Sequence, residues 1–289
     1  MTNSTQLNST QLNSTQRKYL CGFADNRLKK SLERFQNQAM QMKIYDEIYL
    51  YTEDNLDKDF YNYFKDKFHL RGFGYWVWKP QIILQTLSKI NEGDILQYTD
   101  VGCHLNINGL KRLKEYFEIT NQSETGLLTF NMPYFTEKQW TKGDLFDYFN
   151  VRYNENIFPS QIAATVIFIK KCSQSIEIIK KYLKVFYDDF SLVDDSKSKS
   201  KNFPEFQSHR HDQSVWSILA KINNVPCITH AEQWAEKFET LNEYPILVKR
   251  DKVFKERKIK KVFRLIKNIP KIIRKYIFKI KYTKKKYGT

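Results

Sequence analysis

The chain lacks the features that mark several common classes of protein. Its four cysteines lie far apart and form no C-x-x-C pair, which argues against a disulfide framework and against a structural zinc site. It contains no run of about 18 apolar residues, so the sequence predicts no transmembrane helix. The first residues are too polar for a signal peptide. We therefore expect the chain to remain on the cytoplasmic side of the membrane.

Most of the chain also lacks net charge, although the total is +16. Residues 249–289 hold 18 of the 48 Lys and Arg residues and 2 of the 32 Asp and Glu residues, a net charge of +16. The 30 basic and 30 acidic residues that remain in 1–248 cancel. The body of the chain is therefore neutral, and the whole excess lies in the C-terminal tail.

The tail has the pattern of a basic amphipathic helix. Apolar residues recur at alternating steps of three and four from Ile259 to Ile280, with Lys and Arg between them, and Pro270 predicts a kink. Such helices lie in the interface of an anionic membrane, where each cation adds on the order of 1 kcal/mol. We expect 252–289 to bind the inner leaflet. An ordinary helix packed on the domain is the alternative, whereas nucleic acid is disfavoured because phosphate binding needs no apolar stripe.

Between the two ends, strand patterns and helix patterns alternate. Residues 1–16 are a repeat of small polar residues and are predicted to be disordered. Residues 17–248 are predicted to form one α/β domain with a mainly parallel sheet flanked by helices and with ligands at the carboxyl edge of that sheet. Within it, 191–202 reads as a solvated, mobile loop. The predicted strands are 17–24, 45–51, 95–99, 126–131 and 163–170, and the predicted helices are 28–42, 57–68, 80–90, 110–118, 173–186 and 212–221.

An aromatic cluster that carries one lysine opens the most informative segment. Trp76 and Trp78 can stack on a base or a sugar, and burial in the core is an equally good interpretation. Lys79 can supply a fixed cation to a diphosphate, and a surface lysine is the alternative.

An acidic turn closes the same segment. Asp100 follows the strand 95–99, where a carboxylate can hold a divalent cation or cap a turn. Gly102, two residues later, permits a close approach of the backbone.

Four motifs that follow one another along the chain resemble a family of bacterial capsule and lipopolysaccharide glycosyltransferases with the GT-A fold. They are G-Y-W-x-W-K-P from Gly74, G-D-I-L-x-Y-x-D-x-G-C from Gly93, W-T-K-x-D-L-F from Trp140 and H-R-x-D-Q-S from His209. The resemblance spans residues 17–235. The chain departs from the pattern twice: Gly102 replaces the second Asp of an Asp-x-Asp turn, and Gly143 stands where an Arg is more familiar.

The resemblance implies a Rossmann-like GT-A fold, a nucleotide-diphosphate sugar donor, for which we expect UDP, and a glycolipid or saccharide acceptor. It implies a divalent cation, Mn²⁺ or Mg²⁺, at Asp100, with His230 as a weaker candidate ligand. Because Gly102 removes one expected ligand, the need for the metal stays open.

Residue roles follow from the same resemblance. Asp212 and Gln213 are the candidate catalytic pair, with Asp212 binding or activating the acceptor hydroxyl; helix capping is the alternative for Asp212. His209 and His211 are candidate acceptor contacts. The candidate donor-binding residues are Asp25, Arg27, Trp76, Trp78, Lys79, Asp100, Gly102, Lys142 and Asp144.

The sequence therefore predicts a peripheral enzyme on the cytoplasmic face of the bacterial inner membrane that transfers a sugar, a hexose by expectation, to a lipid-linked, lipopolysaccharide or capsule acceptor. The alternative is a non-enzymatic membrane- or nucleic-acid-binding module whose polar clusters are structural.

Overall fold

A computed structural model describes residues 16–249. The polar repeat before Gln16 and the basic tail after Lys249 lie outside the described residues, so disorder of the repeat and the membrane helix of the tail stay predictions. Among the residues that the structure describes, no helix is both long and apolar enough to cross a membrane.

Strands and helices alternate along the described chain. The strands are β1 Lys18–Phe23, β2 Glu47–Tyr51, β3 Ile95–Thr99, β4 His104–Leu105, β5 Leu127–Met132, β6 Gln161–Lys170, β7 Cys227–Thr229 and β8 Ile246–Leu247. The helices are α1 Lys29–Met42, α2 Lys58–Phe64, α3 Trp78–Leu87, α4 Leu110–Gln122, α5 Glu137–Trp140, α6 Gly143–Tyr148, α7 Ser173–Asp188 and α8 Asp212–Ile222.

Six strands form a central sheet in the order β2-β1-β3-β6-β5-β7. The pairs β1–β2, β1–β3 and β5–β7 are parallel, whereas β6 is antiparallel to both β3 and β5. One reversed strand among six confirms the prediction of a mainly parallel sheet in an α/β domain. The first residue of β6, Gln161, consequently lies at the same edge as the carboxyl ends of the other five strands.

Both faces of the sheet are covered, which explains why its central strands β3 and β6 are buried almost throughout. One face packs against α3, α7 and α8, and its core includes Trp216 and Tyr182. The other face packs against α1 and α4, with Phe35 and Tyr116 in its core. The sheet therefore holds its polar strand ends in a fixed arrangement.

The segment before α3 is a left-handed turn. Residues 72–76 all have positive φ, between 52° and 80°, although only Gly72 and Gly74 among them are glycines. Bulky residues avoid this region, at a cost of order 1–3 kcal/mol each. Tertiary contacts hold the turn: the indole N–H of Trp78 donates to the carbonyl of Gly72 at 3.0 Å, and a side chain at position 72 would collide with the ring of Trp76.

Candidate active site

Lys79 lies between two carboxylates at the carboxyl edge of the sheet. Its ammonium donates to Asp212 at 2.5 Å and to the carbonyl of Ala164 at 3.0 Å, and it lies 3.6 Å from Asp100. The two carboxylates come from the end of β3 and the start of α8, so the ammonium joins elements that are far apart in the sequence. Only 3% of the Lys79 side chain is exposed, against 21% for Asp100 and 7% for Asp212. Asp100 is thus the member of this ion triad that a ligand can reach.

Two buried tyrosines each donate a hydrogen bond to one carboxylate of the triad. The hydroxyl of Tyr98 donates to Asp100 at 2.5 Å, and that of Tyr182 donates to Asp212 at 3.2 Å. Burial raises the pKa of both tyrosines, so they remain hydrogen-bond donors at neutral pH. Burial also raises the pKa of Asp212, against the opposing effect of the Lys79 charge. Lys79, predicted to supply a fixed cation to a diphosphate, therefore shares its charge between two carboxylates, and its contact with a donor stays a prediction.

His211 packs against the left-handed turn. Its ring lies 5.8 Å from that of Trp76, nearly parallel, and 4.7 Å from that of Tyr75. Nδ1 lies 2.8 Å from the carbonyl of Val193 and must donate to it, which leaves Nε2 to accept from Arg71 at 3.3 Å. Burial lowers the pKa of His211, in agreement with this neutral form.

His209 is buried beside Lys142. Its Nδ1 accepts the backbone N–H of Lys142 at 3.2 Å, and burial, assisted by the charge of Lys142, holds the pKa of His209 well below the usual value. Both histidines are at most 5% exposed. Both histidines are therefore buried in this structure, and their contact with an acceptor stays a prediction.

Lys142 and Asp144 anchor the loop 191–202. The Lys142 ammonium bonds to the carbonyl of Ser191 at 2.9 Å and lies 3.4 Å from Asp194, while Asp144 accepts the backbone N–H groups of Lys199 and Ser200. The two residues predicted to bind donor thus have structural partners. The loop carries exposed side chains, as predicted, and these contacts tie it to Lys142 and Asp144.

Of the remaining candidate donor-binding residues, one lies in the hydrophobic core and the others lie at the surface or at the carboxyl edge of the sheet. Trp78 belongs to the core: 6% of it is exposed, and its ring stacks on Phe23 at 4.2 Å. Trp76 is half-buried and keeps part of its surface accessible. Asp25 and Arg27 follow β1 at the carboxyl edge, where Arg27 Nε donates to Asp25 at 2.9 Å.

The side chains near Asp100 do not form a set of metal ligands. Within residues 16–249, no three His, Cys, Asp or Glu side chains gather in a way that would hold a metal ion. Lys79 and Tyr98 are the neighbours of Asp100, and Gly102 adds no ligand. His230 follows β7, which the sheet order places three strand spacings, roughly 14 Å, from β3. A divalent cation at Asp100 would have to compete with the ammonium of Lys79, which lies 3.6 Å away.

Sequence reasoning missed a buried polar network next to Gln213. Gln213 Nε2 donates to Gln161 Oε1 at 2.8 Å, and Gln161 Nε2 donates to Glu137 at 3.1 Å. Glu137 is fully buried and paired with Lys221 at 2.9 Å. The one available signal was Thr136-x-x-Gln139, a capping box that marks the start of α5 just before Glu137.

No family model matches the chain, and no curated protein does. Among solved structures it is similar to the glycosyltransferase GlyE in Streptococcus pneumoniae TIGR4, with 12% identity and a TM-score of 0.40 over 74% of this chain and 46% of that one. It therefore spans about half the length of GlyE.

Two further neighbours are also transferases. Galactosyltransferase LgtC, solved in complex with donor and acceptor sugar analogues, is 12% identical over 74% of each chain, with a TM-score of 0.39. Mouse xyloside xylosyltransferase 1 is 7% identical over 79% of this chain and 93% of that one, with a TM-score of 0.43. The fold and site by themselves define an α/β protein with an ion triad at the carboxyl edge of its sheet.

Proposed function

We propose that the chain is a glycosyltransferase that moves a sugar, by expectation a hexose, from a nucleotide-diphosphate donor to a saccharide acceptor of lipid-linked, lipopolysaccharide or capsule type. One observation carries the proposal: residues of different motifs, up to 133 positions apart in the sequence, meet at one edge of the sheet. Lys79 of the first motif contacts Asp100 of the second and Asp212 of the fourth. Lys142 of the third contacts His209 of the fourth. A structural role alone does not require two carboxylates and an ammonium at the ligand edge of an α/β sheet.

Asp100 is the residue that we expect to contact substrate. It is the most exposed member of the triad, and Tyr98 and Lys79 fix one of its oxygens. A carboxylate held in this way accepts hydrogen bonds from sugar or ribose hydroxyls without having to reorganise. Asp212, buried against Lys79 and Tyr182, is better placed to hold the lysine than to meet an acceptor hydroxyl.

Ligand-induced stabilisation tests the donor class. A panel of nucleotide sugars, with UDP-sugars first, is added to the folded protein, and the melting temperature is measured with Mn²⁺ and with EDTA. Donor at 100 times its Kd should stabilise the protein by about 2.7 kcal/mol. Because Lys79 lies beside Asp100 where a metal would bind, we expect the same shift in EDTA. A panel that leaves the melting temperature unchanged under both conditions would contradict the proposed donor class.

A second proposal concerns location. We propose that residues 252–289 hold the enzyme on the cytoplasmic face of an anionic membrane, an inference that rests on the sequence pattern alone. Deleting 252–289 should release the protein from sedimenting liposomes that contain anionic lipid and leave transfer to a soluble acceptor intact. The full-length chain with neutral liposomes is the matched control. If the truncated protein still sediments with anionic liposomes, the tail is not the anchor.

A further inference from the structure

Glu137 begins a chain of hydrogen bonds that has a fixed direction. Its carboxylate is fully buried and accepts from Thr141 Oγ1 at 2.5 Å, Gln161 Nε2 at 3.1 Å and Lys221 Nζ at 2.9 Å, and Ser217 also donates to it. A carboxylate paired with an ammonium can only accept hydrogen bonds. Every partner of Glu137 must therefore be a donor.

This requirement orients the amide of Gln161. Its nitrogen, and not its oxygen, must face Glu137, and the same nitrogen lies 3.4 Å from the carbonyl of Trp140, which also only accepts. The oxygen of Gln161 then points the other way and accepts from Gln213 Nε2 at 2.8 Å. The hydrogen bonds of Glu137 thus determine which way the side-chain amide of Gln161 is oriented.

The consequence appears at Gln213, the residue after Asp212. With its nitrogen engaged by Gln161, Gln213 has its carbonyl oxygen left, and that oxygen forms no hydrogen bond within the described part of the chain. Gln213 is half-buried, whereas Gln161 and Glu137 are fully buried. Gln161 also begins β6, three residues before the carbonyl of Ala164 that accepts from Lys79, so the free oxygen belongs to the edge that carries the ion triad.

We propose that Glu137 and Gln161 are positioning residues that make Gln213 present a carbonyl oxygen, and not an N–H group, to the site. A ligand group that binds this carbonyl oxygen must donate a hydrogen bond to it. Gln213 therefore favours a ligand hydroxyl over a phosphate or carbonyl oxygen, which can only accept. On the proposed glycosyltransferase function, on which this step rests, Gln213 binds a hydroxyl of a sugar. The ion pair of Glu137 with Lys221 keeps the whole chain in one orientation.

The side-chain amide of Gln213 gives a direct readout by NMR in protein with ¹⁵N-labelled glutamine. The Gln213→Leu spectrum assigns the signal, and solvent exchange of its amide protons is measured without ligand. We expect the side-chain amide protons of Gln213 to be protected from exchange in the wild type. Their exchange should be about tenfold faster in Gln161→Leu, because that variant loses one hydrogen bond. Glu137→Gln, whose amide can donate, should have the same effect, while Ser217→Ala, which removes a partner from the other oxygen of Glu137, should not. Equal exchange in wild type and Gln161→Leu would overturn the proposal, even if Glu137→Gln does not fold.

Binding of UDP-glucose and UDP-N-acetylglucosamine is the second readout. A sugar hydroxyl held by Gln213 predicts about tenfold weaker binding in Gln161→Leu, with UDP itself bound as before. Equal loss for UDP and for the UDP-sugars would contradict recognition of a sugar hydroxyl. If no nucleotide sugar binds the wild type, the proposed function fails, and the exchange rates of the ligand-free protein still decide whether Glu137 and Gln161 orient Gln213.

Discussion

Replacing Lys79 by methionine is expected to lower the free energy of unfolding by about 3–5 kcal/mol, because it removes one partner of a buried ion pair and leaves the other unpaired. Methionine keeps most of the volume of the lysine stem, so the loss reports on the ammonium more than on packing. Asp212 would remain buried with Tyr182 as its donor. Equilibrium denaturation in urea measures the difference.

Two comparisons isolate the ion triad as the cause. Lys111→Met changes an exposed lysine of α4 and should shift stability by less than about 0.5 kcal/mol. The double variant Lys79→Met/Asp212→Leu should lose less than the sum of the two single variants, since apolar residues in place of a buried pair are often neutral. A Lys79→Met protein as stable as the Lys111→Met control would show that the contacts around Lys79 do not form a buried ion pair.

Replacing Gly143 by alanine is expected to push the loop 191–202 away from α6. A Cβ at position 143 would lie 2.5 Å from the carbonyl oxygen of Lys201, which is backbone and cannot rotate aside. The backbone N–H of Gly143 also donates to Asn202 at 2.7 Å, and its carbonyl accepts from Arg152 at 2.9 Å. Overpacking of this kind costs about 1–3 kcal/mol. A glycine at position 143 is thus explained by the close approach of the loop.

Limited trypsin digestion detects the displaced loop, because Lys197, Lys199 and Lys201 are exposed residues within it. Cleavage between 197 and 201 should be faster in Gly143→Ala than in the wild type. Gly102→Ala is the matched control, since a Cβ there meets nothing within 4 Å. Identical cleavage of the loop in all three proteins would mean that Gly143 does not hold it.

The regular elements of the domain were predictable where the apolar pattern is strong. The strand 95–99 has the predicted bounds because its residues are buried on both faces. β7, by contrast, was not predicted: it has three residues, none of them buried, so no apolar run marks it. The left-handed turn 72–76 was also not predictable, because aromatic residues disfavour positive φ and only contacts such as that of Trp76 with His211 hold it.

The candidate site was predictable in its residue types and not in its pairings. Sequence motifs selected Lys79, Asp100 and Asp212, but they did not predict that the lysine pairs with both carboxylates. That pairing depends on α3 and α8 packing on the same face of the sheet, a tertiary fact with no local signal. Glu137 was missed for the same reason, since its partners come from β6 and α8.

The most direct test of the account is sugar transfer by the Asp100→Asn variant. The substitution keeps the size of the side chain and removes the charge of the one triad residue that a ligand can reach, so we expect transfer and donor hydrolysis to be abolished while the fold is retained. Asp54→Asn, at an exposed position after β2, is the matched control and should be fully active. Loss of activity in Asp100→Asn with an unchanged circular dichroism spectrum supports the proposed site. Unchanged transfer by Asp100→Asn would contradict it.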